Sequence, residues 1–287
     1  MTVDILMITW NRFDYAKRTI DNLLSTKDDF QLYWWDNGSV DGVAEYISGL
    51  DDERIVLKHR SDSNVMQAIP TRWFLDQSKA AIIGKLDDDT LVPDGWIKTI
   101  GSAIEQHNKL GMVGCWTFWP EDFERNAGLA QKKIKAFGAH RILTNIGIGG
   151  TAFLMQKKLA LKYLVKDHNG TAFPIDRERM SAGGYCSGWY FPLIWAEHMD
   201  DPRSAYCVNK DDTSEDMSAL SAKVRGFKTR LEFLDWIKTD ADKILASDTS
   251  NQINKYKFHK SIAGRVINKI ARQIAISPIF PIFTRRS

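Results

Sequence analysis

Three consecutive carboxylates, Asp87-Asp88-Asp89, directly follow the apolar run 80–86. Carboxylates this close repel one another and raise each other's pKa unless a cation sits among them. A hard divalent ion, Mg²⁺ or Mn²⁺, takes oxygen ligands and bridges to phosphate oxygens, so the triplet suits metal-assisted chemistry on a phosphate ester. DxD strings are common, and a solvated acidic turn explains one that stands alone. The setting here is more specific: an apolar run leads in, and Thr90-Leu91-Val92-Pro93-Asp94-Gly95-Trp96 leads out into a helical pattern.

Two more polar clusters close apolar runs, Thr9-Asn11-Arg12 after 3–9 and Asp36-Asn37-Gly38-Ser39 after 30–35. Taken singly, Asn11 and Asn37 suit turns, and Asp36 suits a turn or a helix N-cap. Periodicity places strands at 3–9, 30–35, 54–58 and 80–86, and helices at 12–24, 43–50, 66–78 and 96–107. Strands alternating with helices predict a parallel, doubly wound α/β sheet. Ligands on such sheets bind beyond the carboxyl ends of the strands, so the three clusters are expected in one crevice.

Beyond residue 110 the pattern loosens. It predicts strands at 111–118, within 146–155 and at 193–196, and helices at 157–164 and over most of 215–245. Residues 119–123 read as an aromatic-acidic loop and 167–191 as a loop-rich stretch. No linker separates independent units.

The segments ILMITWNR, WWDNGSVDG, LDDDTLVPDGW and GIGGTAFLMQKK, in this order over residues 3–158, resemble family 2 glycosyltransferases of the GT-A fold. The resemblance implies a mixed, doubly wound sheet with helices on both faces. It also implies sugar transfer from a nucleoside diphosphate sugar, UDP-type foremost, to a glycan or polyprenyl-linked acceptor, with inversion as the family norm. Thr9, Asn11, Arg12, Asp36 and Asn37 would hold base and ribose. Asp87 and Asp88 would contact ribose or metal, and Asp89 would bind the Mn²⁺ or Mg²⁺ that bridges the diphosphate. Gly149 and Gly150 would let the backbone pass close to donor or acceptor. On this reading residues 1–250 form the catalytic domain, with nucleotide-binding and acceptor-binding halves meeting near residue 110, and 251–287 form a tail.

Inverting transfer needs a carboxylate to take the acceptor proton. Ser214-Glu215-Asp216 matches the family's xED letters and favours Asp216, although it lies far beyond Gly150; Asp176, in FPIDRER, is the competing candidate. Asp200 and Asp201 stand outside both motifs. His198, at the end of a short apolar run, is equally a third metal ligand or a surface histidine. Trp119 and Trp189 are candidates for stacking on acceptor sugars, a role that core packing rivals. A non-catalytic relative that binds nucleotide or glycan as a scaffold is the alternative. A dinucleotide oxidoreductase and a P-loop NTPase lack their motifs, since neither GxGxxG nor GxxxxGK[ST] occurs.

Net charge is +3, but no acid follows Asp248, and the eight lysines and arginines from Lys255 onward leave the rest at −5. Residues 261–276 form a basic amphipathic pattern, followed by an apolar, proline-broken segment and Arg285-Arg286. The pattern over 255–287 suits an anionic membrane surface, or a helix docked on the protein itself or on another subunit. No nucleic-acid motif accompanies the charge. Three cysteines without CxxC spacing, and a start that runs straight into an apolar strand, point to a reducing compartment, the cytoplasm or the inner face of its membrane.

Overall fold

Strands buried on both faces need no alternation of polar and apolar residues, and the first half of the chain is built from four of them. The computed structural model describes residues 2–165, 172–208, 222 and 225–262. In it β1 (Val3–Thr9), β2 (Phe30–Asp36), β3 (Ile55–Arg60) and β4 (Ile82–Asp87) lie parallel in the order β3-β2-β1-β4. The register sets Thr9 opposite Asp36 and Ile8 opposite Asp87, so the expected polar clusters end at one level.

Helices cover both faces. Helix α1 (Phe13–Ser25) buries Ala16, Ile20 and Leu23, a helical spacing, against the same core as α2 (Val43–Ser48) and α4 (Trp96–Gln106). On the opposite face Phe74 and Leu75 of α3 (Ala68–Gln77) join a second core with Ile83, Phe153 and Met155.

The second half extends the same sheet. Next to β4 come β9 (Ala152–Gln156), β6 (Leu110–Gly114), β10 (Cys186–Phe191), β8 (His140–Thr144) and β7 (Ile134–Phe137). Strand β9 runs antiparallel to β4 and β6, and β10 runs parallel to β6, so the sheet is mixed. The residues expected as loop over 167–191 contain β10 and α8 (Arg177–Ala182), and 120–124 form α5 (Pro120–Glu124), with α6 (Ala127–Gln131) after it. The β7–β8 hairpin carried no sequence signal strong enough to be placed. The expected strand at 193–196 is reduced to a bridge between Trp195 and Trp116. The pairing shifts onward to β11 (Glu197–His198), antiparallel to β5 (Thr90–Leu91). Helix α7 (Lys157–Tyr163) follows β9, and α9 (Arg230–Ala246) and α10 (Thr249–Lys260) close the described chain. The earlier part of the expected 215–245 helix lies mostly outside the described residues.

Trp189 does not offer a stacking face. It sits inside the sheet on β10, 2% exposed, with its ring edge-on to Trp116 at 5.1 Å. Its position between β6 and β8 makes it a core residue. Trp189→Ala is therefore expected to cost about 3–5 kcal/mol of stability. Denaturant unfolding would read this, while nucleotide affinity of the folded protein stays unchanged.

Candidate active site

The carboxyl ends of β1 and β4 open into a cavity of about 730 Å³, within the range of small-molecule sites. Its floor is shaped by an unusual turn. Asn11 and Arg12 both adopt left-handed backbone conformations, with φ of 57° and 62°. Such geometry costs about 1–2 kcal/mol per residue outside glycine, and Asn tolerates it best. Compensating bonds hold it: the Asn11 amide donates to Ser39 Oγ at 2.8 Å, and the Val40 amide donates to Asn11 Oδ1 at 3.0 Å. The turn aims the Arg12 guanidinium at two carboxylates. Nη1 lies 3.2 Å from Asp89 Oδ2, and Nη2 lies 2.7 Å from Asp200 Oδ2.

The β5–β11 pairing brings His198 opposite Thr90 and places its Nε2 3.5 Å from Asp89 Oδ2. Asp89, His198 and Asp200 each offer one ligand atom, and these atoms lie within 4.8 Å of one another. Burial opposes charge on all three. The His198 and Arg12 cations nonetheless hold the Asp89 carboxyl well below the usual range. Burial would lower the His198 pKa, but the Asp89 charge more than offsets it and brings it up to about 9. Burial raises Asp88 and Asp200, and the neighbouring Asp89 charge adds to the rise. Two carboxylates and an imidazole in a partly enclosed pocket fit Mn²⁺ or Mg²⁺, the nitrogen ligand being better suited to the former.

The triplet thus divides. Asp89 joins the ligand cluster, whereas Asp87 is ion-paired with Lys85 at the other side of the strand end. Asp88 accepts from the Trp10 backbone amide. All three line the cavity. Asp200, which no sequence motif marked, is the residue the sequence reading missed. It is brought in by the β5–β11 pairing, and two-residue strands carry no periodicity to reveal it.

Asp36 and Thr9 form a buried knot. Thr9 Oγ1 accepts from Trp34 Nε1 and donates to Asp36 Oδ1, both at 3.0 Å. Asp36 also accepts from the Ser39 hydroxyl and amide and faces Arg60 Nε at 3.4 Å. Fully buried, it supports the turn rather than bordering the cavity, where Thr9, Asn11 and Asn37 do appear. Asn37 Oδ1 accepts from Trp35 Nε1 and the Val65 amide, and its Nδ2 donates to the Met66 carbonyl. It thereby fixes residues 64–67 over the cavity. There Gln67 Oε1 is enclosed with no hydrogen-bond partner among the described residues.

Gly149 and Gly150 line the far wall with Phe173 and Arg177. A face of α9, recurring at helical spacing as Phe233, Trp236, Ile237, Asp240 and Ile244, forms another wall. Trp236 and Phe118 occupy the aromatic position expected of Trp119. Trp119 itself is absent from the lining, its ring covered by the Arg203 guanidinium and edge-on to Trp195. Asp176 is likewise absent from the lining. It caps α8, accepting from the Arg179 amide at 2.8 Å, which is the reason an acid stands there. Asp216 lies outside the described residues.

The fold finds likenesses among solved structures. The mannosyltransferase PcManGT from Pyrobaculum calidifontis, in complex with GDP-Man and Mn²⁺, aligns over 96% of this chain and 80% of its own, at 14% identity and a TM-score of 0.54. S. aureus TarS 1-349 in complex with UDP-GlcNAc aligns at 12% identity and a TM-score of 0.51. The match covers 69% of this chain and 58% of that one, so this chain spans less than two thirds of it. These likenesses show the GT-A fold. No curated protein matches by sequence. The family model for glycosyl transferase family 2 matches residues 4–164, more than half of the sequence. The chain belongs to glycosyl transferase family 2.

Proposed function

We propose that the cavity binds a nucleoside diphosphate sugar, UDP-linked in the first instance, and transfers its sugar to a glycan or lipid-linked glycan hydroxyl with inversion. Such a reaction belongs to cell-surface polysaccharide or glycoconjugate assembly. The observation that carries the reading is the Asp89–His198–Asp200 cluster at the foot of a cavity lined by Thr9, Asn37 and Gln67. Asp89, His198 and Asp200 would hold Mn²⁺ or Mg²⁺, which supplies positive charge to the departing diphosphate. Arg12, already between two of those carboxylates, adds a second cation beside the same group. Gln67 Oε1 is an acceptor free for a nucleobase N–H, and Asn37 keeps its segment in place. Asp36 acts through Thr9 and Ser39 as a positioning residue. Gly149 and Gly150, with Trp236 and Phe118, form the acceptor side.

Asp216 is our candidate for the base. It is bracketed in sequence by cavity-lining Asp201 and Arg225, whereas Asp176 is occupied as a helix cap. The tail, 255–287, would bring the enzyme to an anionic membrane surface. Its first part lies in α10, where no residue is buried. Among the described residues no helix is long and apolar enough to cross a membrane.

Calorimetry with Mn²⁺ should show Asp89→Ala, His198→Ala and Asp200→Ala each weakening metal binding. Outer partners of a metal are worth ~10–100-fold, and a direct ligand more. Unchanged Mn²⁺ affinity in all three would sink the assignment. In a transfer assay across UDP- and GDP-sugars, Asp216→Asn should lose turnover while keeping donor affinity. Asp176→Asn should keep turnover and nearly all of its stability, since asparagine caps a helix about as well as aspartate, whereas Asp176→Ala should lose about 0.5–2 kcal/mol as the cap is removed. A wild-type protein that binds donors and turns none over would instead be a scaffold. Sedimentation with phosphatidylglycerol vesicles should depend on residues 255–287 and weaken with salt, each basic residue contributing about 1 kcal/mol. Equal binding to phosphatidylcholine vesicles would refute the electrostatic anchor.

A further inference from the structure

Four lysine or arginine side chains among the described residues line the cavity: Arg12, Lys85, Arg177 and Arg225. Three of them face an acid. Arg12 has Asp89 and Asp200, Lys85 has Asp87, and Arg225 lies in the field of Asp240. Arg177 has none among the described residues. Its Nε is enclosed without a hydrogen-bond partner, and burial alone lowers its pKa, with no carboxylate opposing. It also lies in the field of another cation, helping to depress Lys85. Lys85 is itself enclosed, 1% exposed, and donates to the Gly150 carbonyl at 3.3 Å. Both therefore sit at the Gly149–Gly150 end, where Phe173 and Ile148 exclude water from the wall.

Arg177 is half-buried with its Nε enclosed, and withdrawing an arginine from water without a counter-charge is costly, so a protein seldom keeps one for packing. The cost is offset when a ligand brings the anion, and the guanidinium fork matches a carboxylate or phosphate with two parallel hydrogen bonds. On the transferase reading the donor's diphosphate is provided for by Arg12 and the Asp89–His198–Asp200 cluster.

We propose that Arg177, backed by Lys85, forms an anion subsite for a carboxylate or phosphate carried by the substrate in addition to the donor's diphosphate. The inference rests on the transferase reading of the cavity and narrows it to charged substrates. The anion has two possible carriers, the sugar of the donor or the acceptor glycan, and both present the same chemistry.

Calorimetry on the full chain with Mn²⁺ separates them. One arm compares UDP-glucuronate with UDP-glucose. The other titrates UDP-loaded protein with a glucose disaccharide, the same disaccharide ending in glucuronate, and the same bearing a terminal phosphate. In one arm the anionic ligand is expected to bind about 10- to 100-fold more tightly than the neutral one, the range of a charge-assisted hydrogen bond. Arg177→Gln should erase that preference and leave UDP affinity unchanged, whereas Arg177→Lys should retain part of it. Thermal unfolding of each variant confirms that it is folded. Absence of any charge preference in the wild type overturns the inference, as does an equal loss of neutral and anionic ligands in Arg177→Gln. A wild type that binds neither UDP nor GDP overturns the donor-site reading, and this inference with it.

Discussion

Carboxylates crowded into a partly dry pocket must be supplied with positive charge, and the site is organised around that demand. Asp88, Asp89 and Asp200 share one pocket, and Arg12 reaches two of them with separate nitrogens. Breaking such a buried pair by removing one partner typically costs about 3–5 kcal/mol. The chain therefore tolerates two successive left-handed residues to keep Arg12 there. That turn is held by Ser39 and Asn11, and Ser39 is held by Asp36. An acid buried at the end of β2 thus governs a cation at the end of β1 without touching the cavity. The register that sets Thr9 opposite Asp36 is what makes this possible.

The second device is small in length and large in effect. Pairing β5 with β11 joins residues more than a hundred positions apart through two residues on each side. It delivers His198 to Asp89, and the turn that follows delivers Asp200. The Met199 amide donates to the Asp89 carbonyl at 2.8 Å, so the backbone of one ligand segment is bonded to the backbone of the other. The side-chain oxygens and nitrogen are therefore set by the backbone, so an ion bound there would require little reorganisation.

How much of this was legible before the structure follows from which signals are local. The four parallel strands and their helices were placed within a few residues, because buried apolar runs and helical spacing are local patterns. The polar ends of β1, β2 and β4 were legible for the same reason. Strand β10 was read as loop, since Gly188 and the mixed Tyr and Trp composition interrupt the apolar run. The β7–β8 hairpin was missed because its outer residues, including Lys135 and Ala136, are exposed and carry no alternation. Asp200 was passed over because its role depends on a non-local pairing. Trp189 was misjudged for a different reason: an aromatic residue has the same sequence signature in a core as on a sugar platform.

The three adjacent aspartates, alike in sequence, end in three different electrostatic situations. A turn following β4 separates them, so neighbouring side chains need not share a partner. Asp87 is ion-paired with Lys85, so a metal there would compete with that ammonium. Asp88, disfavoured as an anion by burial, is suited to hydrogen bonding as well as to coordination. Asp89 is held ionised by His198 and Arg12 together. Of the three it is also the one set beside an imidazole and a second carboxylate, the grouping a hard cation could use. The same logic applied to the cations leaves Arg177 as the cavity-lining charge with no acid opposite it among the described residues.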